Sequence, residues 1–223
     1  NKFRGVGMAI ARQGAGLLEE EIASATINFN EDGSFMLFIG TTDFGTGSDT
    51  VLAQICAESI GVPTESITVL SSDTDFTSFN TGSYTPATMY ASGNAVKKAG
   101  KKMRELIMEE ASTTLDIDLD KLSFDRDRII VKGSDDEITL KALGKKLICS
   151  LRPLFVCESY VGHKSPPPYM AGFAEVEVNT DTGKVYVEKF VGVFDIGTVI
   201  NPPLARIQAE GGILQGIGMA LYE

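Results

Sequence analysis

The chain has 223 residues, 43% of them apolar and 22% charged, enough for a buried core in one large domain or two small ones and too balanced for a disordered segment. Twenty basic against thirty acidic residues leave a formal charge of −10, which argues against nucleic acid as a general partner, because phosphate backbones are held by clustered Lys and Arg. No apolar run approaches the ~18 residues of a membrane helix. Cys56, Cys149 and Cys157, without a Cys-x-x-Cys spacing, imply neither a disulfide framework nor a cysteine-ligated cluster and fit a reducing, cytoplasmic setting.

In chain order, residues 5–13 mix small and apolar side chains before the breaker Gly14-Ala15-Gly16 and predict a buried strand. Alternation over residues 24–30, turn chemistry at Glu31-Asp32-Gly33 and a second apolar run to Gly40 predict a hairpin. Helical spacing of Val51, Leu52, Ile55, Cys56 and Ile60 stops at Gly61, with Pro63 beyond, and a short strand follows at residues 66–70. A longer helix is expected over residues 86–115, with an apolar line through Met89, Val96, Ala99, Met103, Leu106 and Ile107. Its basic run, Lys97, Lys98, Lys101, Lys102 and Arg104, reads as a solvated face.

Residues 117–150 read as a small insertion, a strand near 123–132 followed by a helix near 139–147. His163, the sole histidine, stands before Pro166-Pro167-Pro168 in a linker at 162–168 and reads as a solvent-facing loop residue. Strands at 169–179 and 184–194 flank the turn Thr180-Asp181-Thr182-Gly183, and a last helix starts at Asn201-Pro202 with Asn as its cap. The expectation is an α+β fold of two related lobes, 1–116 and 169–223, each a mixed sheet packed with helices. A start at Asn1 and a stop at Glu223 inside a helical pattern read as a piece of something longer.

Three segments could carry chemistry. In the first, residues 40–50, glycines let backbone approach a ligand, and the N–H groups of the first helical turn can bind a polar group. Its spacing is neither Gly-x-Gly-x-x-Gly nor a P-loop, and Thr46-x-x-Asp49 can form a capping-box variant. In the second, Asp73 and Asp75 read as turn-formers, and the polar approach 81–88 to the long helix needs partners for its backbone groups, which a bound polar molecule can supply. In the third, residues 195–218, Gly211, Gly212, Gly216 and Gly218 each cost a helix about 1 kcal/mol relative to alanine. Gly212, Gly216 and Ala220 share a face open to close approach, Leu204, Ile207, Leu214 and Leu221 form an apolar stripe, and the Gln208 amide offers a heterocycle both donor and acceptor. No nucleophile stands with a base in recognisable order. The entries to the first two helices lack Lys and Arg, so an anionic cofactor there falls to backbone amides.

Gly45-Thr46-Gly47 with Gln54-Ile55-Cys56-Ala57-Glu58, Ile60-Gly61-Val62-Pro63, Ser71-Ser72-Asp73-Thr74, Gly82-Ser83 and Gly93-Asn94-Ala95-Val96 form an ordered set with Asp195-x-Gly197, Ile200-Asn201-Pro202 and Gln208-x-Glu210-Gly211-Gly212-x-x-Gln215-Gly216-x-Gly218. Together they resemble the molybdopterin-binding subunit of the xanthine dehydrogenase and aldehyde oxidase family over most of the chain, and Gly-Thr-Gly-Ser-Asp-Thr is similar to a nicotinate-dehydrogenase-like branch. The resemblance implies a molybdenum-cofactor-binding domain of a hydroxylase that adds water-derived oxygen to an N-heterocycle or aldehyde. Electrons then pass to iron–sulfur clusters and FAD on other domains or subunits, alongside the remaining molybdopterin-binding domain. It implies cofactor contacts at Gly45, Thr46, Gly47, Tyr84, Thr85, Pro86, Ala87, Thr88 and Gln208, with Thr46 standing where many members carry glutamine. It also implies that the metal is held by the pterin dithiolene without protein ligands, and that the catalytic glutamate lies downstream of Glu223. The alternatives are a non-catalytic cofactor-binding or assembly module on the same scaffold and, more distantly, a nucleotide-binding protein.

Overall fold

A computed structural model describes residues 1–84 and 86–223. In chain order its strands are β1 (Lys2–Arg12), β2 (Ile22–Phe29), β3 (Phe35–Ile39), β4 (Ile67–Ser71), β5 (Leu122–Asp125), β6 (Arg128–Val131), β7 (Glu137–Thr139), β8 (Phe155–Val161), β9 (Tyr169–Asn179) and β10 (Val185–Asp195). The α-helices are α1 (Ser48–Ile60), α2 (Gly93–Leu115), α3 (Leu140–Cys149) and α4 (Pro202–Leu221), and one π-helical turn, Thr88–Ser92, leads into α2. The chain divides into two compact units, residues 16–164 and residues 1–15 with 165–223.

The larger unit is built on a mixed sheet of order β4-β3-β2-β8. Alternation along β2 and β3 puts Ala23, Ala25, Ile27, Phe29, Phe35, Leu37 and Ile39 on the buried face. The strands β3 and β4 run parallel because α1 makes the crossover between them, while β2 pairs antiparallel with both β3 and β8. Against this sheet pack Leu52, Cys56 and Ile60 of α1 and Val96, Ala99, Met103 and Ile107 of α2, each fully buried. Helix α1 ends at Gly61, whose φ of 96° is the left-handed conformation that glycine adopts without strain.

Not all of the basic run on α2 is merely solvated. Arg104 donates to the Ile60 carbonyl at 2.6 Å, closing the C-terminus of α1, and lies 4.7 Å from the Phe124 ring centroid. Lys98 donates to the Ser159 carbonyl at 2.9 Å beside Glu158.

In the segment 117–150 the single strand expected is a hairpin, β5 and β6, because Arg126 turns the chain at φ 56°, and β7 adds an unexpected third strand against β6. Its Leu122, Ile129, Val131, Leu140, Leu143 and Leu147 belong to the same buried cluster as β2 and α2. The Thr139 hydroxyl caps α3 by accepting from Ala142 N–H at 3.1 Å. Strand β8, in which Val156, Glu158 and Tyr160 alternate with the more exposed Phe155, Cys157 and Ser159, was not anticipated.

The smaller unit is an antiparallel sheet of order β1-β9-β10 with α4. Strand β1 pairs with β9 over eleven positions, from Lys2 with Asn179 to Arg12 with Tyr169. It is not the buried strand expected: every residue is exposed, because three strands and one helix offer too little to cover both faces. The half-buried side of α4 recurs every fourth residue through Ala205, Ala209, Ile213, Ile217 and Leu221. Of the stripe read from sequence, Ile207 and Leu214 face solvent at 60% and 70% exposure, and a Cβ at Gly211, Gly212 or Gly216 meets open space. Asn201 caps the helix as expected, its Oδ1 accepting from Leu204 N–H at 3.1 Å. No described helix is long and apolar enough to cross a membrane.

Candidate functional site

The first candidate loop leaves β3 and enters α1 at Gly47, whose φ of 73° again suits glycine. Its polar centre is Asp43. Oδ1 of Asp43 accepts from Gly45 N–H at 3.0 Å, Gly47 N–H at 3.1 Å and the Thr46 hydroxyl at 3.5 Å, and Oδ2 accepts from Asp49 N–H at 3.3 Å. Burial alone raises the Asp43 carboxyl, but the backbone N–H groups of Gly45, Asp49 and Gly47 outweigh it and hold the group below the usual carboxylate range.

Three of the amides that the sequence leaves for a ligand, those of Gly45, Gly47 and Asp49, are therefore engaged by the loop's own carboxylate. The capping box read from Thr46-x-x-Asp49 does not form: Gly47 carries no side-chain cap, and Asp49 Oδ2 instead accepts from the Ser71 hydroxyl at 2.8 Å. Asp43 wins because a short acidic side chain two residues before a turn reaches the turn's N–H groups directly.

The second candidate loop lies against the first. Ser83 Oγ donates to the Thr42 carbonyl at 3.1 Å and accepts from Thr42 N–H at 3.3 Å. The same loop is held from below by Glu21, 1% exposed, whose Oε2 accepts from the Thr81 hydroxyl at 2.8 Å. Glu21 was missed in the sequence because it is the last of three consecutive glutamates, and nothing local distinguishes it from its exposed neighbours Glu19 and Glu20.

Of the residues assigned to this loop, Tyr84 and Pro86 are exposed, Ala87 is buried and Thr88 opens the π-helical turn, while Thr85 lies outside the described residues. The widened turn is tied at its end, where Asn94 Nδ2 donates to the Tyr90 carbonyl at 2.6 Å. The Tyr160 hydroxyl donates to the Tyr90 hydroxyl at 3.1 Å with the rings edge to face.

Three buried polar atoms at and beside the first loop have no hydrogen-bond partner among the described residues: Thr41 Oγ1, Ser48 Oγ and Asp49 Oδ1. Unsatisfied buried oxygens cost about 1–3 kcal/mol each, so this ground favours a bound polar molecule or water. A hydroxyl-rich pair of loops without Lys or Arg fits an uncharged, hydrogen-bonding heterocycle better than a bare metal. No group of three His, Cys, Asp or Glu side chains that could hold a metal ion occurs among the described residues.

Gln208 is an exposed residue of α4 in the smaller unit. Asp73 forms a turn, its Oδ1 accepting from Asp75 N–H at 2.9 Å, and His163 is exposed in its loop.

Against known proteins, the family model described as molybdopterin cofactor-binding domain matches residues 1–223. A protein of Escherichia coli (strain K12) named "Probable hypoxanthine oxidase XdhD" is 33% identical over 98% of this chain and 23% of its own length. The xanthine dehydrogenase molybdenum-binding subunit of Escherichia coli O157:H7 is 30% identical over 100% of this chain and 31% of its own length. Among solved structures, reconstituted CO dehydrogenase from Oligotropha carboxidovorans superposes with a TM-score of 0.85 at 27% identity, covering 95% of this chain and 28% of that one. The chain thus spans about a quarter to a third of the length of these relatives.

Proposed function

This chain belongs to the molybdopterin cofactor-binding domain family, and from that premise we propose that it forms part of the molybdopterin site of a molybdenum hydroxylase acting on an N-heterocycle or an aldehyde. The single observation that supports this reading is the joining of the two loops through Ser83 and Thr42, which ties the loop that leads to Gly45-Thr46-Gly47 to the loop that leads to Tyr84. When bound, the cofactor supplies a metal centre that accepts two electrons as water-derived oxygen is added to an electron-poor carbon.

The chain's own residues bind and orient. Gly45 leaves room for a ring edge, Gly47 lets the backbone turn toward it, Thr46 and Tyr84 offer hydroxyl groups, Pro86 stiffens the approach, and Ala87 and Thr88 set the start of the helix behind it. Thr85 is assigned with them. Gln208, assigned by its place in the last helix, offers a carboxamide with both donor and acceptor. None of these residues is a general base. Asp43 is engaged by loop donors, Glu21 by Thr81 and one oxygen of Asp49 by Ser71; following the family resemblance, we assign proton abstraction to a glutamate outside this chain and expect the isolated chain to be inactive. Iron–sulfur and FAD domains or subunits are the proposed electron acceptors, a second molybdopterin-binding domain the proposed partner, and the cytoplasm the proposed location.

The occupied amides around Asp43 favour a second reading, an assembly module that keeps the scaffold without holding the cofactor. Thr46→Arg in the full-length parent enzyme separates the two. The first reading expects pterin and molybdenum per folded molecule to fall severalfold, and unchanged pterin content favours the second.

A further inference from the structure

We propose that Asp43 is the positioning residue of the cofactor loop, an internal anion that fixes the backbone from Gly45 to Asp49 before any ligand arrives. The inference rests on the reading that the cofactor lies against this loop. Four donors converge on one carboxylate, three on Oδ1 and one on Oδ2, reaching two, three, four and six residues along the chain. A chain segment that carries two glycines with φ of 104° and 73° has no stiffness of its own. The Asp43 carboxylate supplies that stiffness, and its charge is matched by the positive end of α1 and not by a cation, since residues 40–50 contain no Lys or Arg.

The consequence concerns recognition. An α-helix start normally offers its first N–H groups to an external anion such as phosphate. Here Gly47 and Asp49 N–H point to Asp43, so the start of α1 is neutralised from within. The loop is left to recognise a ligand by shape and by its remaining hydrogen-bonding groups, and a phosphate placed on these amides meets a carboxylate instead. Asp43 touches no reacting atom in this scheme and acts through the loop it holds.

The test uses the full-length parent enzyme purified as wild type, Asp43→Ala and Asp43→Asn, with pterin content per folded molecule, melting temperature and hydrogen exchange at the amides of residues 45, 47 and 49. Asp43→Ala is expected to lower pterin content at least about fivefold, with faster exchange at those amides and a small melting shift. Asp43→Asn is expected to recover part of the content, because Oδ1 still accepts from Gly45 and Gly47 while the new amide group opposes Asp49 N–H. If Asp43→Ala does not fold, Asp43→Asn decides: lower pterin per folded molecule supports the inference and wild-type content overturns it. Wild-type content in Asp43→Ala, or a loss that only tracks the unfolded fraction, overturns the role of Asp43 while leaving the functional reading intact. A wild-type enzyme without pterin overturns both.

Discussion

The two units carry apolar residues in similar proportion and put them to opposite ends. In the larger one, the inward residues of β2 and β3 and the facing sides of α1 and α2 close into a core in which Ile27, Leu37, Leu52, Met103 and Ile107 are fully buried. In the smaller one, Val6, Met8 and Ile10 of β1 and Leu214 and Met219 of α4 are each more than 60% exposed, and α4 buries no residue fully. The difference is one of layers: a four-stranded sheet with two long helices and a second small sheet can cover its apolar face, whereas three strands and one glycine-rich helix cannot. A core is a property of what packs on an element as much as of the element's own pattern.

The sharpest way to break this contrast is to truncate one leucine in each unit. Leu52→Ala is expected to cost about 2–5 kcal/mol in denaturant unfolding, by lost burial plus the cavity left behind. Leu214→Ala, at 70% exposure, is expected to change stability by no more than about 0.5 kcal/mol. Equal losses would show that the smaller unit owns a core after all.

A smaller effect separates the thiols. Burial pushes the Cys56 thiol up to about 12 from its ordinary 9, whereas Cys149 and Cys157 are exposed. The folded state therefore favours the neutral thiol. Its contribution is fully present below pH about 9, where the unfolded thiol is also neutral, and is lost as pH rises toward 12. Native protein is expected to react with a thiol reagent at Cys149 and Cys157 only, and Cys56→Ala is expected to flatten the alkaline fall in stability. Rapid labelling of Cys56 below pH 9 would contradict the closed core.

These contrasts mark how far the sequence could be read. The hairpin of β2 and β3, the stop of α1 at Gly61 and the cap of α4 at Asn201 were legible because each rests on neighbours a few residues apart. The pairing of β1 with β9 was not, since it joins residues more than 150 positions apart. The stripe on α4 was misplaced because that helix is apolar on several sides, so spacing alone does not choose a face. At the candidate site, the loop at 45–47 could be picked out by its glycines and the approach at 84–88 by its Thr-Pro pair before a helix. The role of Asp43 could not, because a carboxylate two residues before a glycine turn looks the same whether it faces water or gathers four donors. Glu21 was hidden among identical neighbours, and only the fold distinguishes it.

In the proposed function the joined loops of the larger unit lie against the pterin. The most direct measurement is a crystal structure of the full-length parent enzyme with its cofactor bound. The account predicts pterin atoms within hydrogen-bonding distance of the segment from Gly45 to Gly47 or from Tyr84 to Thr88, with the Asp43 carboxylate still turned inward on the amides of Gly45, Gly47 and Asp49. A pterin seated away from both loops, or one whose phosphate has displaced Asp43 from those amides, would contradict it.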